Sequence, residues 1–264
     1  MPSTTATLPP RLERLSLGGF IVAVLVLALA ISSLRGVGFS FSEIAHGLPR
    51  MGSILAEMFP PNLTRLPQVL RALAETFQMA FAGTLIGAVL SLPLSVLAAR
   101  NLSPHPALRW GARALIAVFR VVPDLVWALL FVAVVGLGPF AGTLAVMVDK
   151  IGFLGKFFAE SMEEADPGPQ EALRALGASR VALVAGAVVP AALPGMVNAT
   201  LYGLERATRS SVVLGLVGAG GIGIELSVSM DLFNYAEAST IILAIFVLVL
   251  AVEQVSGLIR ARLI

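Results

Sequence analysis

Long stretches with hardly any charged side chains constrain the fold of this chain more than any other feature. The first occupies residues 15–34, and about 20 apolar residues are enough to cross the hydrocarbon core of a bilayer. Over the whole chain 57% of the residues are hydrophobic, 13% are charged, and the mean hydropathy is +0.91. Soluble domains do not have this composition, and helices satisfy their backbone hydrogen bonds within one segment in lipid. The sequence therefore predicts an all-α membrane protein.

The apolar pattern predicts six membrane-spanning helices, which form one transmembrane domain over residues 15–264. Pro190 and Pro194 are expected to kink the fifth span, because proline lacks a backbone donor and clashes with the preceding turn. Residues 212–224 are apolar but rich in glycine, so they either span irregularly or re-enter the membrane surrounded by protein. An amphipathic segment within residues 39–67 is expected at the outer membrane surface. The six spans lie at about residues 15–34, 69–98, 108–137, 141–158, 181–204 and 237–259.

Six spans place both ends of the chain on one side of the membrane. With this topology the inner loops carry more Arg and Lys than the outer loops, which favours cytoplasmic N and C termini. Residues 1–14 are then a polar cytoplasmic tail, and residues 159–180 form a cytoplasmic loop between the fourth and fifth spans.

That loop contains a short polar segment with the signals of a capped helix. Pro169 suits the first helical position, with Gly168 or Asp166 as the cap before it. Glu171 lies in the first turn, and Gly177 is placed to end the helix in a left-handed conformation. Ala172, Leu173 and Leu176 share one side, so the segment is expected to be held by another protein.

Several charged and hydroxyl residues fall at membrane depth, where an unpaired charge is costly. Arg120 and Asp124 are four residues apart on one predicted helix, which favours a structural ion pair over a substrate pathway. Glu205 and Arg209 pose the same choice near the outer face. Donors cluster beside them, and the hypothesis is that these form an outer gate or contact an anion. This cluster consists of Arg206, Arg209, Ser210 and Ser211.

Other motifs exclude several functions. Residues 218–223 match the Gly-x-Gly-x-x-Gly fingerprint, but no βαβ unit surrounds them, so close helix packing or a re-entrant turn is the interpretation. The chain contains no Gly-x-x-x-x-Gly-Lys-Ser/Thr motif, so ATP would have to be hydrolysed on another subunit. There is no cysteine, and His46 and His105 are expected on opposite sides of the membrane, which argues against a metal centre and a serine hydrolase. Asp149 and Lys150 are interpreted as a helix-end feature. We predict neither enzyme activity nor nucleic-acid binding.

The polar segment resembles the cytoplasmic EAA loop of ABC importer permeases, through Glu171, Ala172, Gly177 and Pro190. Leu173 replaces the third residue of that pattern, which is usually alanine. Residues 171–180 and 210–223 together are similar to phosphonate-type permeases, as are Phe59-Pro60-Pro61, Pro93 and Ala98-Ala99-Arg100-Asn101.

This resemblance implies a type I ABC importer (MetI-like) fold in a bacterial inner membrane. A second copy of the permease would complete the pathway, and an extracytoplasmic binding protein would deliver phosphonate, phosphite or phosphate. Two cytoplasmic ATPase subunits, carrying ATP and Mg, would hold the coupling residues Glu171, Ala172, Leu173 and Gly177. Two alternatives remain open, an importer of another small solute such as methionine or an osmolyte, and an intramembrane transferase.

Overall fold

The computed structural model describes residues 17–263, except for the side chain of residue 263. The predicted tail at residues 1–14 lies outside the described residues. The described backbone consists of helices joined by turns, and it divides into two compact units on either side of the boundary between Ile54 and Leu55. The helices are α1 (Leu17–Gly36), α2 (Phe41–Glu57), α3 (Leu66–Ala98), α4 (Pro106–Val121), α5 (Asp124–Val135), α6 (Pro139–Glu164), α7 (Pro167–Ala175), α8 (Arg180–Leu183), a π-helical turn (Val184–Val188), α9 (Val189–Leu216), α10 (Ile222–Asp231) and α11 (Tyr235–Leu263).

The first unit contains α1 and most of α2. Helix α1 exposes its apolar side chains along its length, as a helix surrounded by lipid does. It confirms the first predicted span, and α2 confirms the amphipathic helix that follows.

The second unit is built around α6, which packs against α3, α4, α5 and α9. Two glycines on α3 allow α6 to approach closely: a Cβ atom on Gly83 would lie 2.7 Å from Val146 Cβ, and one on Gly87 would lie 2.6 Å from Lys150 Cβ. Small residues at such positions let apolar helices pack through their backbones. The α3–α6 contact is therefore the most extensive contact between two helices of the unit.

Four stretches of the described residues are long and apolar enough to cross a membrane: α1, α3, the continuous stretch from Arg180 to Leu216, and α11. The bent pair of α4 and α5 adds a fifth if it counts as one span. Helix α6 overlaps the predicted fourth span but is not among these stretches, so the total of six spans stays a prediction. It is less apolar than the others because Asp149, Lys150 and Lys156 interrupt it.

The third predicted span is not one helix. Helices α4 and α5 meet at an angle of 88° across Val122 and Pro123. A proline disfavours helical geometry in the residue before it, and Val122 has ψ 120°. The backbone N–H of Leu125 donates to Asp124 Oδ1 at 2.9 Å, so a new helix starts directly after the proline. The prediction of a single helix over residues 108–137 was therefore wrong.

The fifth predicted span is longer than expected and reaches Leu216. Pro190 has no N–H to donate, and the backbone before it widens into the π-helical turn, where Val189 N donates to Val184 O. Residues 212–224 divide between the end of α9, a buried turn and the start of α10. In this turn Gly218 and Gly220 have φ of +87°, a conformation that glycine adopts without a steric penalty.

Candidate functional site

Helix α7 lies in the predicted cytoplasmic loop and is capped at its start by Asp166, whose Oδ1 accepts a hydrogen bond from Gly168 N at 2.9 Å. Pro167 occupies the first turn, where its missing N–H costs nothing. Of the two predicted caps Asp166 is therefore confirmed, but the predicted start at Pro169 was two residues late. The first proline of the Pro-Gly-Pro sequence already suits the helix.

The end of α7 agrees with the prediction. Gly177 has φ +76°, and no atom lies within 4 Å of a Cβ built on it, so its conformation rather than crowding requires glycine. Gly177 N donates to Arg174 O and Ala178 N to Leu173 O, both at 3.0 Å. Ser179 then caps α8 by accepting from Ala182 N at 3.3 Å. The chain thus passes from α7 into α8 through a turn that is held by backbone hydrogen bonds.

One side of helix α7 packs against the rest of the protein, and the other side is exposed. Gln170 is buried and donates to Asp166 O at 3.3 Å, while Leu173 is half-buried and packs towards the π-helical turn. Glu171 and Ala172 are exposed, and Leu176 is 83% exposed. The shared apolar side that we predicted is therefore divided: Leu173 attaches the helix, while Leu176 and Ala172 remain available to a partner.

A charged cluster lies in the middle of α6, where the Asp149 carboxylate contacts two cations. Lys150 Nζ lies 2.7 Å from Asp149 Oδ2, and Arg206 Nη2 lies 3.4 Å from Asp149 Oδ1. Lys150 is completely buried, whereas the Arg206 side chain is 47% exposed. Both cations also lie over the ring of Phe153, at 5.7 and 5.6 Å from its centroid. The Asp124 carboxylate also attracts the charge of Lys150, and the accessible cation of the cluster is Arg206.

The predicted Glu205–Arg209 ion pair does not form. Glu205 Oε1 is buried against α11, where it accepts from Arg260 Nη2 at 2.7 Å. Arg209 is exposed and has no ion pair within the part of the chain that the structure describes. Because α9 continues to Leu216, these residues lie within the helix rather than at its end, and their role at an outer gate stays a prediction.

The predicted Arg120–Asp124 pair was also wrong. The break between α4 and α5 separates the two residues, and Asp124 instead accepts a hydrogen bond at the start of α5. The two serines divide as well: Ser210 Oγ donates to Ala207 O at 3.3 Å, while Ser211 is fully buried and its hydroxyl has no partner among the described residues. Of the predicted pathway residues, Arg206 and Arg209 are the two exposed cations on one helix.

The glycine-rich turn at residues 218–223 is held by α3. Glu75 Oε1 accepts from Gly221 N and Thr76 Oγ1 from Ile222 N, both at 2.8 Å. These side chains satisfy backbone donors at the start of α10, which have no partner within the helix. The described part of the chain contains no strand beside the turn, so the motif serves close helix packing, as we inferred from the sequence.

Sequence reasoning missed the importance of Asp149 and Lys150. We interpreted them as a helix-end feature, but they lie in the interior of α6 and form its buried charged centre. One signal was available, since two adjacent opposite charges inside an apolar segment must be paired or face a cavity. The Glu205–Arg260 pair had no such signal, because its members are far apart in the sequence.

Several apolar helices packed around α6, with the short capped helix α7 exposed between α6 and α8, define a multi-span α-helical membrane protein. The comparison with known proteins makes this specific: residues 91–263 match the family described as "Binding-protein-dependent transport system inner membrane component". The chain belongs to this family.

Two relatives illustrate the range of family members. The "Phosphate-import permease protein PhnE" of Mycolicibacterium smegmatis is 42% identical over 264 residues, which are 100% of this chain and 49% of that protein. This chain thus spans about half the length of that relative. The "Phosphite transport system permease protein PtxC" of Stutzerimonas stutzeri is 40% identical over 219 residues, covering 83% of this chain and 80% of that protein.

The fold is shared with a solved transporter. A structure titled "Inward facing conformations of the MetNI methionine ABC transporter" aligns with a TM-score of 0.68 and 27% identity, covering 77% of this chain and 99% of that one. The predicted MetI-like fold of type I ABC importers is confirmed.

Proposed function

We propose that this chain is the permease subunit of an ATP-driven importer of phosphonate or a related phosphorus oxyanion, phosphite or phosphate. The observation that carries the transport mechanism is α7, which is capped at both ends, attached through Leu173 and exposed at Leu176. The substrate class is supported by the relatives named for phosphate and phosphite transport.

Energy coupling runs through α7. In this proposal a cytoplasmic ATPase subunit holds Glu171, Ala172, Leu173 and Gly177, and ATP and Mg bind on that subunit rather than on this chain. Helix α7 joins α6 through two residues and α8 through a hydrogen-bonded turn. A displacement of α7 would therefore be transmitted to two long helices as a rigid-body movement, which is how such transporters alternate their access.

The assembly contains more than this chain. We propose that two copies form the pathway, that two ATPase subunits bind from the cytoplasm, and that a binding protein delivers the ligand from outside. The chain then lies in a bacterial inner membrane with both termini in the cytoplasm, as its positive loops favour.

The pathway carries a positive charge on α9. Arg206 and Arg209 are exposed, and one anionic partner, Asp149, is shared by Arg206 and Lys150. Guanidinium groups bind phosphorus oxyanions through paired N–H donors, so these two arginines are the proposed contacts. Arg120, Asp124, Ser210 and Ser211 are secondary positions, and buried Ser211 supports the packing of α9 more than a ligand contact.

An uptake assay tests the substrate class. The permease, co-expressed with its ATPase and binding protein in cells that lack other phosphorus importers, should allow growth on phosphite, phosphate or a phosphonate as the phosphorus source. The second candidate is a methionine importer, favoured by the structural likeness to MetNI. Rescue of a methionine auxotroph without any phosphorus uptake would select that alternative.

A further inference from the structure

A cavity at the end of the bundle that carries α7 has cationic side chains around an apolar floor. We propose that it binds a phosphate-type oxyanion, either the headgroup of an anionic lipid or a free ion. This inference goes beyond the proposed function, because the cavity contains neither α7 nor the arginines of α9 and shares only Arg120 with the secondary pathway positions.

The cavity lies between α3, α4 and α6 and has a volume of about 190 Å³. Its floor is formed by Ala98, Ile116 and Ala159, which are all buried. These apolar side chains offer no polar group that would compete with a ligand for the charged side chains. The charged groups at the rim are Arg113, Arg120, Lys156 and Glu160.

Arg113 is held in one orientation before any ligand binds. Its Nε donates to Ala98 O at 2.9 Å, and its Nη2 donates to Glu163 Oε1 at 2.6 Å. A guanidinium group has five N–H donors, so the others remain available to the cavity. Because the Arg113 side chain is already ordered, the binding of an anion requires little further ordering of it and costs less free energy.

The charges around the cavity do not cancel. Glu163 pairs with Arg113, and Glu160 pairs with Lys156 at the longer distance of 3.4 Å, where both side chains are half-exposed. Arg120 has no ion pair among the described residues. The rim therefore carries a surplus positive charge on Arg120, and the exposed Lys156–Glu160 pair is weak enough for Lys156 to turn to an anion.

A phosphate-type group fits this arrangement better than a carboxylate. Its oxygens point in several directions, so Arg113, Arg120 and Lys156 can each meet one, and the apolar floor suits the carbon atoms of an ester. In the proposed topology this end faces the cytoplasmic leaflet, which is rich in anionic lipids, and basic pockets between helices bind such headgroups.

Two binding measurements on the assembled transporter test the proposal and separate the sources. Spin-labelled phosphatidylglycerol reports lipid association in detergent micelles, and equilibrium dialysis with radiolabelled inorganic phosphate, without binding protein, reports a free ion. Arg120→Gln and Lys156→Gln should each weaken binding of the preferred probe about tenfold, the effect of losing one charged hydrogen bond. Arg109→Gln, on the same helix but outside the cavity, is the matched control and should bind as the unmodified protein does.

A neutral substitution guards against misfolded variants. Ala117 also lines the cavity, so Ala117→Leu should reduce binding by filling it without removing a charge. Loss of phosphatidylglycerol binding alone in these variants identifies a lipid site, and loss of phosphate binding alone identifies an ion site. The proposal is overturned if neither probe binds, or if Arg120→Gln, Lys156→Gln and Ala117→Leu bind both probes as well as Arg109→Gln does.

Discussion

Lys150 Nζ lies 2.7 Å from Asp149 Oδ2, and the lysine side chain is completely buried. Two neighbours along one helix thus neutralise each other inside the protein, while Arg206 approaches the second oxygen of the same carboxylate at 3.4 Å. The Arg206 side chain is 47% exposed, so it is accessible to an anion. This relationship connects the core of the bundle to the proposed pathway.

The first prediction concerns the buried pair. Lys150→Met should destabilise the protein by about 3–5 kcal/mol, because it leaves a buried carboxylate without its close partner. Thermal unfolding of the purified transporter measures this as a lower melting temperature. The double variant Asp149→Asn with Lys150→Met should recover most of the loss. Lys156→Met, on the same helix but 41% exposed, should change stability by under about 1 kcal/mol. Equal effects of the two lysine variants would contradict this account.

The second prediction concerns the pathway arginines. Arg206→Gln and Arg209→Gln should each raise the apparent KM for phosphorus-oxyanion uptake about tenfold, since each removes a charged donor worth about 1.5 kcal/mol or more. Uptake into proteoliposomes over a range of ligand concentrations gives the value. Arg71→Gln, an exposed arginine on α3, serves as the control and should leave KM unchanged. If all three variants behave alike, the arginines of α9 have a structural role only.

The third prediction concerns the contact between α9 and α11. Glu205 is buried and accepts from Arg260 at 2.7 Å, so the two should be energetically coupled. A double-mutant cycle with Glu205→Gln and Arg260→Gln should give a coupling free energy of about 1–3 kcal/mol. Unfolding measurements on the four proteins provide it. Strict additivity would show that the end of α11 is not anchored at this point.

The fourth prediction concerns the start of α10. Thr76→Val removes the acceptor of the Ile222 N–H and leaves a buried donor unpaired, which should cost about 1–3 kcal/mol. Thr84 on the same helix is a matched control, because its hydroxyl is buried without a partner in the described structure. Thr84→Val should be neutral or stabilising when melting temperatures are compared. A larger loss of melting temperature in Thr84→Val than in Thr76→Val would be incompatible with a cap by Thr76.

The local signals that start and end α7 could be recognised in the sequence. Asp166 and Gly177 act within a few residues of where they stand, so capping rules placed both ends of α7 to within two residues. The break at Val122 followed from an equally local rule, the restriction before Pro123. The apolar residues on both sides of Pro123 favour one continuous span, but apolarity indicates burial or lipid contact rather than helix continuity.

The contacts between helices could not be predicted from the sequence. Arg209 lies four residues after Glu205 and carries the opposite charge, yet Glu205 pairs with Arg260 on another helix. Spacing within one helix gives candidates, but the close packing of α9 against α11 decides between them. The same holds for Glu75, whose hydrogen bond to Gly221 depends on a turn at the far end of α9.

The central proposal is that α7 transmits a movement, driven by ATP hydrolysis on the partner subunit, to the membrane helices. Gly177→Val forces a β-branched residue into φ +76° and should distort the end of α7, while Glu171→Ala removes an exposed contact residue. Glu164→Ala, an exposed acid at the end of α6, is the control. The most direct measurement is ATPase activity of the assembled importer with and without liganded binding protein. We predict that Glu171→Ala and Gly177→Val assemble but lose stimulation by ligand, while Glu164→Ala keeps it. Full stimulation in both α7 variants would contradict the claim.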